Sequence, residues 1–190
     1  SRASNGVILI TTKKGKAGTP MTVSYDGNVS AANAIAFVDV FSGDEMRQIA
    51  YEKAQSGLYD VDDLSLLGSQ NTNWQKEIFR TAISSDHNIS LAGAVKNFPY
   101  RFSVGYTDQN GILKNTDMQR FTGSLNLNPT FFDDALKVNL NLKGMNTHQN
   151  FGDQGAIGSA VSMDPTQMVM DGNEASDGYY QWENYGANLG

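Results

Sequence analysis

Five stretches of the chain alternate apolar and polar residues with a period of two. Residues 21–30 set Val23, Tyr25, Gly27 and Val29 on one face against Ser24, Asp26 and Asn28 on the other. Residues 87–95 set Ile89, Leu91 and Gly93 against Asn88, Ser90 and Ala92. Residues 100–107 set Tyr100, Phe102, Val104 and Tyr106 against Arg101, Ser103, Gly105 and Thr107. Residues 120–128 set Phe121, Gly123, Leu125 and Leu127 against Arg120, Thr122, Ser124 and Asn126. Residues 136–143 set Leu136, Val138, Leu140 and Leu142 against Lys137, Asn139, Asn141 and Lys143. Successive side chains of a strand point to opposite faces, so each stretch predicts a strand. A further apolar run, residues 7–12, is β-branched rather than alternating. It follows a polar turn and is closed by Lys13, Lys14 and Gly15.

Charge sharpens the pattern. The charged residues inside the five alternating stretches are Asp26, Arg101, Arg120, Lys137 and Lys143, and all fall on the polar face. A lysine or arginine facing lipid at mid-bilayer costs ~2–4 kcal/mol, so the pattern fits one face in hydrocarbon and one in a wet lumen. A soluble antiparallel sheet with one buried and one solvated face alternates in the same way. Two features tilt the choice toward a membrane barrel. The connections run long, short, long, short, long, with tight turns at Lys96–Asn97 and at 129–135, as in outer-membrane barrels. Aromatic residues also sit at both strand ends: Phe98, Tyr100, Phe131 and Phe132 by the short turns, Tyr106 and Phe121 by a long loop. Pairing the third and fourth strands places Tyr106 near Phe121, Val104 near Gly123 and Phe102 near Leu125. Pairing the fourth and fifth places Leu127 near Leu136 and Leu125 near Val138. Both registers collect the apolar side chains on one face, and a one-residue slip would scatter them.

One helix is predicted in the first long loop. Ser42 is an N-cap, Glu45 completes a capping box, Met46, Ile49 and Ala50 have helical spacing through about Gln55, and Gly57 stops it. Ala36, Phe37, Val38 and Val40 just before it predict that this loop packs on something.

Composition narrows the classes. No apolar stretch approaches the ~20 residues of a spanning helix, which leaves a barrel open. A net charge of -6 and a pI near 4.8, without a basic stripe, argue against nucleic acid as a partner. There are no cysteines, hence no disulfide, zinc knuckle or thiol chemistry. His87 and His148 are far apart and lack a metal-ligand partner pattern. Residues 152–158, GDQGAIG, are glycine-rich but show no phosphate-binding helix pattern. Asp171, Asn173 and Asp177 fail the calcium-loop spacing. No catalytic constellation, cofactor site or metal site is expected. Tyr179, Tyr180, Trp182 and Tyr185 form an aromatic cluster that could stack on sugar rings, pack against a partner, or anchor the next strand. Asn126, Asn128, Asn139 and Asn141 would face a lumen and hydrogen-bond whatever fills it.

The opening run SRASNGVILITTKKG resembles the last plug strand of SusC/RagA-like TonB-dependent outer-membrane transporters. Three further stretches resemble the same family in the same order: NWQKEIFRTAIS at 73–84; YRFSVGYTDQNGIL at 100–113 with RFTGSLNLNPTFFDDALKVNLNLKGM at 120–145; and AIGSAVSMDPTQ at 156–167. The resemblance implies an all-β fold. The chain would be part of a 22-stranded antiparallel transmembrane β-barrel with the last strand of an N-terminal plug domain. It divides the chain into the C-terminal end of the plug, residues 1–17, and the N-terminal part of the barrel with its long extracellular loops, residues 18–190. Without an initiator Met or signal peptide, the chain is expected to be an internal piece of a longer protein. The implied function is TonB-dependent import of an oligomeric nutrient across the outer membrane, glycan first and oligopeptide next, and no enzymatic activity. The implied partners are a SusD-like surface lipoprotein, outer-membrane lipid, and the TonB complex through a segment absent from this chain. The alternative class is a soluble all-β binding or adhesion domain, distinguished by folding in plain buffer.

Overall fold

A computed structural model describes residues 18–172 and 174–181. The strand predicted at 7–12 lies outside the described residues, as do Asn173, Trp182 and Tyr185. The described chain divides into two compact units.

The first unit is a sheet. Its strands are β1 (Thr22–Ala32), β2 (Ala82–Val95), β3 (Phe98–Asn110), β4 (Asp117–Leu127) and β7 (Leu140–Asn150), antiparallel in the order β1-β2-β3-β4-β7. A small pair, β5 (Thr130–Phe131) and β6 (Leu136–Lys137), closes the turn between β4 and β7. The predicted β3–β4 register is the observed one: Phe102 faces Leu125, Val104 faces Gly123 and Tyr106 faces Phe121. The strands run past their predicted long-loop ends because backbone pairing outlasts the apolar pattern. Asn110, for example, still donates its backbone N–H to the Ser84 hydroxyl oxygen at 2.9 Å and its side-chain amide to the Ile83 carbonyl at 2.7 Å.

The β4–β7 register corrects the expected one. Leu127 faces Leu140 and Leu125 faces Leu142, four residues beyond the predicted partners. The hairpin zips further than expected: Thr130 pairs with Lys137 and Phe131 with Leu136. Phe132, Asp133 and Asp134 then turn the chain at φ of 55°, 49° and 69°. A shift of four preserves strand parity, so every side chain keeps its predicted face.

The second unit comprises residues 33–81, 112–114 and the segment after 151. It holds α1 (Gly43–Gln55), a 3-10 turn (Val61–Leu66), α2 (Trp74–Ile78) and α3 (Gly155–Ser162). The predicted capping box opens α1: Ser42 Oγ accepts the Glu45 N–H, and the Glu45 carboxylate accepts the Ser42 N–H at 2.8 Å. Gly57 follows at φ 72°, a conformation glycine adopts without steric cost. The glycine-rich stretch at 152–158 does lead into a helix, α3, which its sequence pattern does not announce. The Asp153 carboxylate accepts the N–H of its first residue, Gly155, at 2.8 Å. The long excursion between β1 and β2 is clasped at its base, where the Thr81 hydroxyl donates to Asn33 Oδ1 at 2.6 Å.

Candidate functional site

Cross-strand registers stack the outward residues of the sheet into rows. One row reads Val23, Leu91, Phe102, Leu125, Leu142; the next reads Tyr25, Ile89, Val104, Gly123, Gly144; a third ends in Tyr106, Phe121, Asn146. No Asp, Glu, Lys or Arg enters these rows. On the same face beyond Tyr106 and Phe121 the composition turns polar, with Ser85, Asp108, Gln119 and His148 in one row. The apolar band thus ends at an aromatic rim. Along β3 it runs from Phe98 to Tyr106, close to the ~9–11 residues that cross a bilayer on a tilted strand.

The two faces are inverted relative to a soluble sheet. Val23, Phe102, Phe121 and Leu142 are 61, 46, 56 and 54% exposed, whereas the polar-face residues Ser90 and Asn126 are 1 and 5% exposed. Tyrosines cover glycines within the band. A Cβ on Gly93 would meet the Tyr100 hydroxyl at 2.9 Å. The Tyr25 ring lies over Gly27 and reaches His87, with Oη 2.7 Å from Nδ1. His87 is thereby a hydrogen-bonded strand residue.

The polar face is a hydroxyl and amide ladder. Ser24 pairs with Ser90 and Ser103 with Ser124, each Oγ pair 2.7 Å apart. Arg101 donates to Ser90 Oγ at 2.9 Å, and Thr107 donates to the Asp86 carboxylate. A cleft of about 350 Å³ opens between Ser103, Thr122, Ser124 and Lys143.

In the loop unit, the stretches 73–84 and 156–167 singled out by resemblance meet. Asn73 caps α2 by accepting the Lys76 N–H at 3.1 Å. Gln75, 4% exposed, clamps the strand-like run before α1: Val38 N–H donates to its Oε1 at 2.9 Å and its Nε2 donates to the Val38 carbonyl at 2.8 Å. Phe37 lies 5.8 Å from Phe79, centroid to centroid. The packing expected for residues 36–40 is therefore on α2. Trp74 Nε1 donates to the Asp164 carbonyl at 2.8 Å. Thr166 is fully buried, and its hydroxyl accepts the Gly68 N–H at 2.9 Å.

Gly68 lies so close to Thr166 that an added methyl would run into the Thr166 carbonyl oxygen. Gly68→Ala should therefore cost the loop unit about 1–3 kcal/mol through overpacking. Limited proteolysis should show faster cleavage across 66–72; an unchanged rate would refute the close-packing argument.

Glu45 receives hydrogen bonds from the Ser42 backbone and hydroxyl, which hold its carboxyl below the usual carboxylate range. A lowered folded-state pKa stabilises above the unfolded value and is lost as pH falls through the folded one. The hydrogen-exchange protection factors at Ser42 and Glu45, corrected for the intrinsic pH dependence of exchange, should be flat above the ordinary carboxylate range and fall below it. Ser42→Ala should flatten that acid response. A wild-type profile with no acid limb would exclude the linkage.

The predicted aromatic cluster is only partly described. Tyr179 is exposed, and its N–H donates to the Ser176 carbonyl at 3.0 Å. Tyr180 is half-buried, its ring 6.4 Å from Trp74 and tilted by 31°. The two tyrosines thus point to different tasks: an open ring and a packed one. Trp182 and Tyr185 lie outside the described residues. Among the described residues no three His, Asp or Glu side chains converge. Beside Trp74, a small apolar cleft is lined by Ile78, Ala156, Ala160 and Met163.

No protein-family profile matches the chain. The TonB-dependent receptor SusC of Bacteroides thetaiotaomicron is 50% identical over 194 residues, covering all of this chain and 19% of that protein. A TonB-dependent receptor of Formosa agariphila is 33% identical over 144 residues, covering 76% of this chain and 13% of that protein. Among solved structures, the RagAB peptide importer in its closed-closed state superposes with a TM-score of 0.63 at 23% identity, over 81% of this chain and 20% of that one. Its open-open state gives 0.61 at 25% identity, over 80% and 20%. The chain spans about a fifth or less of the length of these relatives.

Proposed function

Because this chain belongs to the SusC/RagA-like TonB-dependent receptors, we propose that it is the plug end and first barrel strands of an outer-membrane nutrient importer. Residues 1–17 would close the plug domain. Residues 18–190 would open a 22-stranded barrel with long extracellular loops, β1 to β4 and β7 spanning the bilayer. The observation that carries the reading is the inverted sheet. Its apolar rows carry exposed large side chains and no Asp, Glu, Lys or Arg, while Ser90 and Asn126 on the opposite face are buried. Hydrocarbon is the solvent in which that arrangement is stable.

The cargo would be an oligomer held under a SusD-like surface lipoprotein and released inward when TonB, acting on a segment outside this chain, rearranges the plug. Glycan is the first choice, because the exposed Tyr179 ring offers a flat stacking surface; Tyr180, Trp182 and Tyr185 are the further contacts proposed from the sequence. An oligopeptide is the second, supported by the fold shared with the RagAB peptide importer. The test is to extract the parent polypeptide from its source membrane and identify what accompanies it. A chain several times longer than this one, needing detergent and bringing down a lipoprotein, is the expected result. A soluble monomer of about this length would overturn the importer and favour an adhesion domain.

A further inference from the structure

Residues 35–41, IAFVDVF, lie within the loop unit, just before α1. Gln75 holds Val38 there by both backbone groups, accepting its N–H at 2.9 Å and donating to its carbonyl at 2.8 Å. One side-chain amide reaches both groups only where the N–H and C=O of a residue point to the same side, which is extended backbone. In extended chain the groups of adjacent residues point the opposite way. Those of Phe37 and Asp39 therefore face away from Gln75. Among the described residues they have no hydrogen-bond partner, and neither do the backbone groups of Ile35, Ala36 and Val40.

The run is apolar as well as unpaired. Ile35, Val38 and Phe41 are exposed, and these residue types favour strands. An open extended edge of this kind is a template for a further strand. It reads backbone, so the occupant that fits it is a polypeptide; an oligosaccharide presents no regular ladder of N–H and C=O groups. Charge marks one end of the edge. A cleft of about 310 Å³ is lined by Asp39, Val40, Phe41 and Glu45. Residues 33–46 contain Asp39, Asp44 and Glu45 and no lysine or arginine. Asp44 is paired with Arg47 and Glu45 is bonded to Ser42. The Asp39 carboxylate is left to meet an incoming ammonium group.

We infer that residues 35–41 are a strand-addition seat for an extended oligopeptide, whose backbone pairs with Phe37 and Asp39 and whose α-ammonium meets the Asp39 carboxylate. This rests on the oligopeptide reading of the cargo above. Backbone pairing makes the seat tolerant of peptide sequence and excludes chains that lack peptide groups.

The test is isothermal titration calorimetry on the full-length protein, purified in detergent. The probe is an octapeptide of alternating valine and threonine with a free amino terminus. It is compared with its N-acetylated form and with a form N-methylated at every residue, which has no backbone donors. The first two should bind and the third should not. Asp39→Pro removes one donor of the open edge. Proline and the residue before it both accept extended backbone, so the Gln75 clamp on Val38 should persist. This variant should bind even the acetylated peptide about tenfold more weakly. Asp39→Asn keeps the donor and should erase the preference for the free over the acetylated terminus. The N-methylated peptide probes the unaltered protein, so the seat stays testable if Asp39→Pro does not fold. Peptide binding that survives both N-methylation and Asp39→Pro overturns the seat and leaves the oligopeptide reading standing. A heat-modifiable barrel that binds no peptide overturns that reading and the seat with it. A protein that is not heat-modifiable overturns the barrel itself.

Discussion

Arginine in place of Val104 should block assembly of the protein into a bilayer. Val104 sits in the middle of the apolar face, with Ile89 on one side and Gly123 on the other. If the exposed rows face lipid as proposed, a guanidinium there would face the centre of the hydrocarbon, at a cost of about 2–4 kcal/mol, a factor of roughly 30 to 700 in the assembled fraction. The adjacent residue gives the contrast. Ser103 points to the opposite face, beside the 350 Å³ cleft shared with Thr122 and Ser124. Ser103→Lys has room and water, and should assemble near the wild-type level. The measurement is the heat-modifiable fraction in the outer membrane for the two variants. Equal assembly of both would mean that the exposed rows do not face lipid.

The second large effect is expected at Gln75. One buried side chain satisfies both backbone groups of Val38. Gln75→Ala removes both bonds and leaves a donor and an acceptor unpaired, at about 1–3 kcal/mol for each group that water does not reach. The consequence is local: residues 36–40 should detach from α2, with fast hydrogen exchange at Val38 and protease cleavage nearby, while the sheet remains intact. Gln75→Glu, which keeps the acceptor and loses one donor, should lie between. Protection at Val38 that survives Gln75→Ala would show that the Phe37–Phe79 contact alone holds the segment.

The parts of this fold that are legible in the sequence are those fixed by short-range rules. The face of every strand residue follows from parity. The β3–β4 register follows because a shift would pair aromatic rims with polar rows. The β4–β7 register is not legible, because a shift of four keeps every residue on its face. The choice falls to a turn of three left-handed residues, Phe132, Asp133 and Asp134, none of them glycine. The α1 capping box is local and readable. Helices α2 and α3 are too short to display a helical period, and the contacts that hold their surroundings are remote in sequence, as between Gly68 and Thr166. Adjacent tyrosines at 179 and 180 look equivalent in sequence, yet Trp74 takes one and leaves the other open.

The clasp between Thr81 and Asn33 bears on how the sheet forms. The β2–β3 seam closes through a two-residue turn, whereas β1 and β2 are separated by an excursion of roughly 50 residues, which adds about 3 kcal/mol of closure entropy. Left as open chain, that excursion would make β1–β2 the slowest seam to zip. A loop body that folds first delivers its two ends already joined, so the search shrinks to that of a short hairpin. The kinetics of docking β1 then depend on the clasp between Asn33 and Thr81 rather than on the length of the excursion.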